Sequence, residues 1–252
     1  MSGSLEFLSG LEGTEITFQS STDASFYFPP QTWIITEKLS EDPRQLTQKD
    51  IDDGLGPAFT GAKFLCHRAD DPTKIAFMRI YKQVPIAGTE FQNSRVRARQ
   101  AAPPRMHDEL MAFKAFKKKR CNVVPELLCY QEGVQDQDGI VPGGYVTYLV
   151  WDKVPGEPLN TETFWSLDLP SRHTIRAQFR TVYEELVRCG YVPRMATLSK
   201  IIFDKSTGKM HISGFGLAGR VDPNQKWSDT KYVQFRLAKR PACDSDITEW
   251  TW

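Results

Sequence analysis

Five cysteines (Cys66, Cys121, Cys129, Cys189 and Cys243) and four histidines (His67, His107, His173 and His211) are the obvious candidates for metal binding or nucleophilic attack. Neither set has the spacing that chemistry needs. The cysteines lack the paired pattern of a zinc site, and the histidines are scattered without metal-ligand intervals. The thiols therefore read as reduced and structural, and no signature marks one with a lowered pKa. A Gly-x-Ser-x-Gly elbow for hydrolysis is missing. Among the carboxylates, Asp204 stands at a strand-to-turn boundary and Asp222 precedes Pro223, both places where aspartate serves turns. Arg95, Arg97 and Arg99 alternate near the basic run Lys117 to Arg120. They read as a solvated loop and a helix end, because 32 Lys and Arg balance 31 Asp and Glu and leave no global field for nucleic acid.

The elements that must position these residues change character along the chain. Glu15 to Gln19, Ser25 to Phe28 and Thr32 to Thr36 are short β-prone runs, broken by Ser-Ser-Thr-Asp and Pro29-Pro30. Ser40 to Asp53 is polar and reads as a loop or short helix. Ala62 to His67 and Ile75 to Tyr81 predict a hairpin around Ala69-Asp70-Asp71-Pro72, and Pro85 to Pro104 a long irregular connection. Met106, Leu110, Phe113 and Phe116 fall on one helical face whose end is crowded with lysines. Two further strands are expected at Glu126 to Tyr130 and Tyr145 to Val150. Beyond Val154-Pro155-Gly156 the pattern turns helical, with Ile175, Phe179, Val182 and Leu186 forming a buried stripe. Strand-like runs Lys200 to Phe203 and Lys209 to Ser213 flank the turn Asp204 to Gly208, and a polar, Trp-bearing tail closes the chain.

With 252 residues and domains of about 100–200, the chain has room for one large domain or two lobes. Its 40% apolar and 25% charged residues are those of an ordinary globular protein. The start lacks a secretory pattern and no stretch is apolar enough to span a bilayer, so a cytoplasmic location and no membrane partner are expected.

This order resembles the two-lobed protein kinase and aminoglycoside phosphotransferase superfamily from about Gly54 to Gly216. Gly54-Leu-Gly56 with Gly61 resembles the glycine-rich loop over nucleotide phosphates; Pro57 removes one N–H donor, and a structural turn is the alternative. Arg79 resembles the phosphate-contacting lysine and Glu109 its helix partner, which implies an ion pair between them. A one-residue register slip would align Met78 instead, and an exposed strand arginine is the plain alternative. Tyr148 to Leu159 looks like the linker between lobes, with Trp151 lining a cleft or filling a core and Pro155-Gly156 making the turn.

Gly190 to Asp204 resembles a kinase catalytic loop entering its next strand, and Ser213-Gly214-Phe215-Gly216 resembles Asp-Phe-Gly. The functional letters differ. Met195 stands near the family's catalytic aspartate, Lys200 near its magnesium-binding asparagine, and Gly214 at its magnesium-binding aspartate. Lys200 reads either as a fixed positive charge near phosphate or as a solvated lysine.

The resemblance implies an α+β, two-lobed protein kinase-like fold, with a β-rich N-terminal lobe carrying one pairing helix at 1–150 and a truncated helical C-terminal lobe at 151–252. It implies a pseudokinase, similar to small kinase-like proteins of filamentous fungi, that binds a protein or small molecule in a regulatory or scaffolding role. The putative cleft residues are Gly54, Gly56, Gly61, Arg79, Glu109, Trp151, Met195, Lys200 and Gly214, with no assigned catalytic residue, no metal, and nucleotide affinity weak or absent. Two alternatives stay open: a small-molecule isomerase or cyclase using an aromatic-rich cleft, and an atypical phosphotransferase using Asp204, Asp222 or Asp108.

Overall fold

The computed structural model of the chain describes residues 5–20, 25–240 and 250–252, so Cys243 lies outside them. It is a mixed α/β structure with one large antiparallel sheet and few helices. The chain divides into two compact units, Met1–Met106 with Leu127–Lys153, and His107–Glu126 with Val154–Trp252.

In the first unit the strands are β1 (Glu15–Phe18), β2 (Gln31–Arg44), β3 (Phe59–Arg68), β4 (Ile75–Gln83), β5 (Leu127–Val134) and β6 (Tyr145–Asp152), in sheet order β1-β2-β3-β4-β6-β5. The β3–β4 hairpin pairs Gly61 with Tyr81 and Lys63 with Arg79. Ser25 to Phe28, expected as a strand, is not one. Conversely β2 runs on through Pro43 into the stretch read as a loop. Because β1 pairs with residues 31–34 of β2 and Gly13 and Thr14 bond only as far as Ile35, the later part of that strand lies at a sheet edge, where a proline missing its N–H is tolerated.

Glu41, on that edge strand, anchors the N-terminal segment. Its carboxylate accepts from the Phe7 N–H at 2.9 Å and the Thr60 hydroxyl at 2.7 Å and pairs with Lys38 at 2.6 Å. Helix α1 (Gln48–Asp52) opens with a capping box between Thr47 and Asp50 and closes on Gly54, whose N–H donates to the Ile51 carbonyl. The Pro85 to Pro104 connection is held by Gln83, whose amide donates to the Gln100 carbonyl at 2.6 Å and accepts from the Ala102 N–H at 3.0 Å. It includes the one-turn helix α2 (Ser94–Ala98).

The second unit is built on α3 (Asp108–Lys118) and α5 (Leu169–Arg188), with α4 (Thr161–Ser166) between them in sequence and α6 (Thr230–Gln234) near the end. Short strands complete it: β7 (Glu157–Pro158), β8 (Tyr191–Pro193), β9 (Ile201–Phe203), β10 (Met210–Ile212) and β11 (Ala218–Arg220), paired as β10-β9-β7 and β11-β8. Asp168 caps α5 by accepting from the Ser171 N–H at 2.8 Å, and Gly190, at φ +87°, ends it. Ile175, Phe179, Val182 and Leu186 are all buried along α5, each fully buried apolar side chain contributing about 1.5–3 kcal/mol.

Helix α3, expected within the first 150 residues as part of the β-rich lobe, belongs to the second unit. Phe113 and Phe116 pack on Phe215 with ring centroids 5.9 and 4.7 Å apart, so its apolar stripe is a second-unit core. Met106, expected on that stripe, precedes the helix and is 67% exposed.

Candidate functional site

The segment 190–220 is a closed frame in the second unit. Strands β8 and β11 pair Tyr191 with Arg220 and Pro193 with Ala218, bringing the start of the catalytic-loop-like segment to the end of the Ser-Gly-Phe-Gly segment. The loop between them carries Met195, 61% exposed, and a 3-10 turn at Leu198–Lys200. Strand β9 follows and pairs with β10, and the Ser213 N–H then donates back to the Lys200 carbonyl at 2.8 Å. Phe215, 1% exposed, wedges against α3 and holds the frame to its core.

Lys200 and Gly214 meet inside this frame. Gly214 lies in the left-handed region at φ +84°, ψ +46°, and a Cβ built on it would overlap Lys200 Cδ and stand 2.7 Å from its Cε and 3.0 Å from its Nζ. The lysine side chain fills the volume into which a residue-214 side chain would extend. Lys200 and Gly214 are thus packed on each other, the lysine stem lying where a Cβ at position 214 would stand.

The alternative carboxylates have turn duties. Asp204 accepts from the hydroxyls of Thr207 at 2.6 Å and Ser206 at 2.7 Å and from the Ser206 N–H at 2.9 Å, which pull its pKa down to about 2. Asp222 accepts from the Asn224 N–H at 2.9 Å, and Asp108 opens α3 in its first turn, where a negative charge suits the helix dipole. Glu109 follows it, 2% exposed.

Gly156 shows why Pro155-Gly156 needs its glycine. At φ +101° its Cβ would lie 2.6 Å from the Asp204 nitrogen and the Phe203 carbonyl carbon, so the chain leaving the first unit runs against the backbone of β9. The register of β7, Glu157 with Phe203 and Pro158 with Ile202, depends on that approach.

The remaining expected site residues belong to the first unit. Gly54 ends α1, Gly56 would put a Cβ 3.2 Å from Arg105 Nη1, and Gly61 lies beneath Tyr81, its Cβ position 2.9 Å from that ring. Each glycine has a structural reason in packing or turn geometry. The Arg79 guanidinium lies 6.0 Å from the Tyr81 ring, on the sheet face that Gly61 shares. Trp151, 6% exposed, packs on Phe77 at 6.1 Å. Lys63, not among the residues singled out above, places its ammonium 3.7 Å from the Phe77 ring and 5.9 Å from that of Trp151. Its strand position beside Arg79 was the available signal.

The cysteines are ordinary in part. Burial pushes the Cys66 thiol up to about 12 and raises that of Cys129 further, which keeps both protonated. Among the described residues no group of three or more His, Cys, Asp or Glu side chains is placed to hold a metal ion, and no helix is long and apolar enough to cross a membrane.

No family model matches the chain, and no curated protein matches it. Among solved structures it is similar to the kinase PK-1 of Cydia pomonella granulovirus, at 13% identity and a TM-score of 0.43, over 75% of this chain and 52% of that one. The chain spans about half the length of that neighbour.

Proposed function

We propose that this chain is a kinase-like protein without normal phosphotransfer, working as a regulatory or scaffolding pseudokinase that binds a protein or small molecule. The observation that carries this reading is the packing of Lys200 across Gly214. Phosphoryl transfer depends on metal ions that bridge the phosphates and neutralise charge developing in the transition state. On the kinase alignment, both positions that would supply those metal ligands are altered together, and the lysine occupies the space released by the glycine. Met195 at the catalytic-base position removes the third contribution, since a thioether cannot orient a hydroxyl by accepting its proton.

Order along the chain supports the same reading. Arg79 lies on the strand before the helix that carries Glu109, and Pro155-Gly156 and α5 precede the degenerate loop, the sequence in which kinases carry their equivalents. On this reading the protein needs no metal, and its nucleotide affinity is weak or absent. The atypical phosphotransferase reading loses its best base, because the Asp204 carboxylate is committed to the Ser206 and Thr207 turn.

The test is incubation with labelled ATP and magnesium, comparing the natural protein with Asp204→Ala. No transfer or hydrolysis above background is expected from either. Robust turnover by the natural protein that disappears in Asp204→Ala would overturn the reading and establish the atypical phosphotransferase.

A further inference from the structure

Cys121 and Cys189 lie far apart in sequence, yet their thiols are hydrogen-bonded to each other. Two helix ends bring them together. Helix α3 closes with Arg120 in the left-handed region at φ +52° and the Cys121 N–H donating to the Phe116 carbonyl at 2.9 Å, so the chain turns back over the end of the helix. Cys189 is the residue that ends α5, just ahead of Gly190. Two contacts tie these ends without involving sulfur. The Lys119 ammonium donates to the Arg188 carbonyl at 3.0 Å, and the Phe116 and Tyr191 rings stand 6.3 Å apart.

Cys189 is 3% exposed, whereas Cys121 is only partly buried, so the pair has a solvent-facing member. Cys66 and Cys129 are different: both are fully buried, and burial keeps both thiols protonated. Between Cys121 and Cys189 one thiol donates to the other. That hydrogen bond lowers the Cys189 pKa, with help from the positive charges of Lys119 and Arg188 and against burial and Glu185, and it raises the pKa of Cys121. The first proton to leave the pair therefore leaves a thiolate that its neighbour stabilises, and a thiolate is the reactive form of cysteine.

We propose that Cys121 and Cys189 form a redox-active dithiol, which a small disulfide such as oxidised glutathione closes into an intramolecular disulfide. The pair loses one proton to solvent, and the remaining proton passes to Cys189, so that the outer sulfur, Cys121, is the thiolate. It attacks one sulfur of the small disulfide, whose S–S bond breaks and whose other half leaves as a thiolate. Cys189 then gives up its proton to solvent and attacks the Cys121 sulfur, expelling the second half. Two cysteine thiols are oxidised by two electrons, and one disulfide is reduced to two thiols. The new bond staples the end of α3 to the end of α5. Cys189 stands just before Tyr191 of β8, and Cys121 just before Val123, whose carbonyl accepts from the Ile212 N–H of β10 at 2.8 Å. The staple therefore braces the frame at 190–220, and it closes a loop of about 70 residues in the unfolded chain. This inference is independent of the pseudokinase reading.

The reduced full chain, held under native conditions in glutathione buffers of increasing oxidation, tests this when the remaining thiols are alkylated and the peptides mapped by mass spectrometry. The expected product is a single bond between Cys121 and Cys189, reversed by dithiothreitol, with Cys66 and Cys129 alkylated only after unfolding. The oxidised protein should melt about 5–10 °C higher than the reduced one. Cys189→Ser should stop at a mixed disulfide between Cys121 and glutathione. Cys121→Ser, at the less buried position, should form no bond to Cys189 and show no rise in melting temperature, which keeps the test open if Cys189→Ser fails to fold. Several results would overturn the proposal: both thiols still alkylatable in oxidised glutathione, a glutathione adduct that persists on Cys121 in the natural protein, a bond from either residue to Cys243, or a melting temperature unmoved by oxidation.

Discussion

If Lys200 fills the volume vacated at position 214, the cost of giving that position a side chain must depend on Lys200. Gly214→Ala is the cleanest perturbation, because it adds one methyl and no charge. Two costs arise. The backbone at φ +84° is left-handed, which costs a non-glycine residue about 1–2 kcal/mol. The new Cβ also falls on the Lys200 side chain, overlapping Cδ and 2.7 Å from Cε, and displacing that packed stem adds about 1 kcal/mol. The single variant should therefore lose about 2–3 kcal/mol. In a Lys200→Ala background only the backbone cost survives, so the loss should shrink to about 1–2 kcal/mol. A double-mutant cycle read by urea unfolding, followed through an aromatic signal of the second unit, measures the difference as a coupling of about 1 kcal/mol. The reasoning fails if Gly214→Ala costs the same in both backgrounds, since Lys200 would then not occupy that space.

Three further outcomes follow from the geometry. Burial alone would raise the Glu41 pKa, but Lys38, the Phe7 N–H and the Thr60 hydroxyl outweigh it and hold the carboxyl below its ordinary value. A depressed folded-state pKa contributes stability above the unfolded pKa that is lost as pH falls through the folded one. Glu41→Gln should therefore cost about 2 kcal/mol at neutral pH in denaturant unfolding and flatten the acid side of the stability curve; an unchanged acid limb would contradict the assignment. Gly156→Ala places a Cβ 2.6 Å from the backbone of β9 at φ +101°, so it should cost about 3 kcal/mol or more and lower the yield of folded protein, whereas normal stability would remove the close approach. Phe215→Ala, which empties the contact with Phe113 and Phe116, should cost about 3–5 kcal/mol by the same unfolding assay, and a loss below about 1 kcal/mol would show that α3 is not held there.

The parts legible in the sequence were those with a regular period. The β3–β4 hairpin, the strands β5 and β6, the stripe of α5 and the β9-turn-β10 unit all lie where apolar alternation or helical spacing put them. What stayed hidden was set by contacts distant in sequence. The extension of β2 through Pro43 depends on β1 pairing with only its first residues, and the grouping of α3 with the second unit depends on Phe215, a hundred residues later. Gly61 reads as loop-like from composition, but the structure uses it so that the Tyr81 ring can lie on the strand. Met195, Lys200 and Gly214 stand out in the sequence only through the kinase resemblance; that Lys200 packs on Gly214 depends on how β9 and β10 bring the two segments together. The burial of Arg176 had a local signal, since it sits three residues before Phe179 and seven before Tyr183, on the buried face of α5. A charged residue in an apolar stripe invites notice for that reason.

On the proposed function, the Lys200 and Gly214 pair leaves no place for a metal–nucleotide complex. Its most direct test is the thermal shift of the whole chain with ATP, with and without magnesium. Ligand present at a hundredfold excess over its dissociation constant would stabilise the folded state by about 2.7 kcal/mol. No magnesium-dependent shift is expected. A shift of that size appearing only when magnesium accompanies ATP would contradict the account.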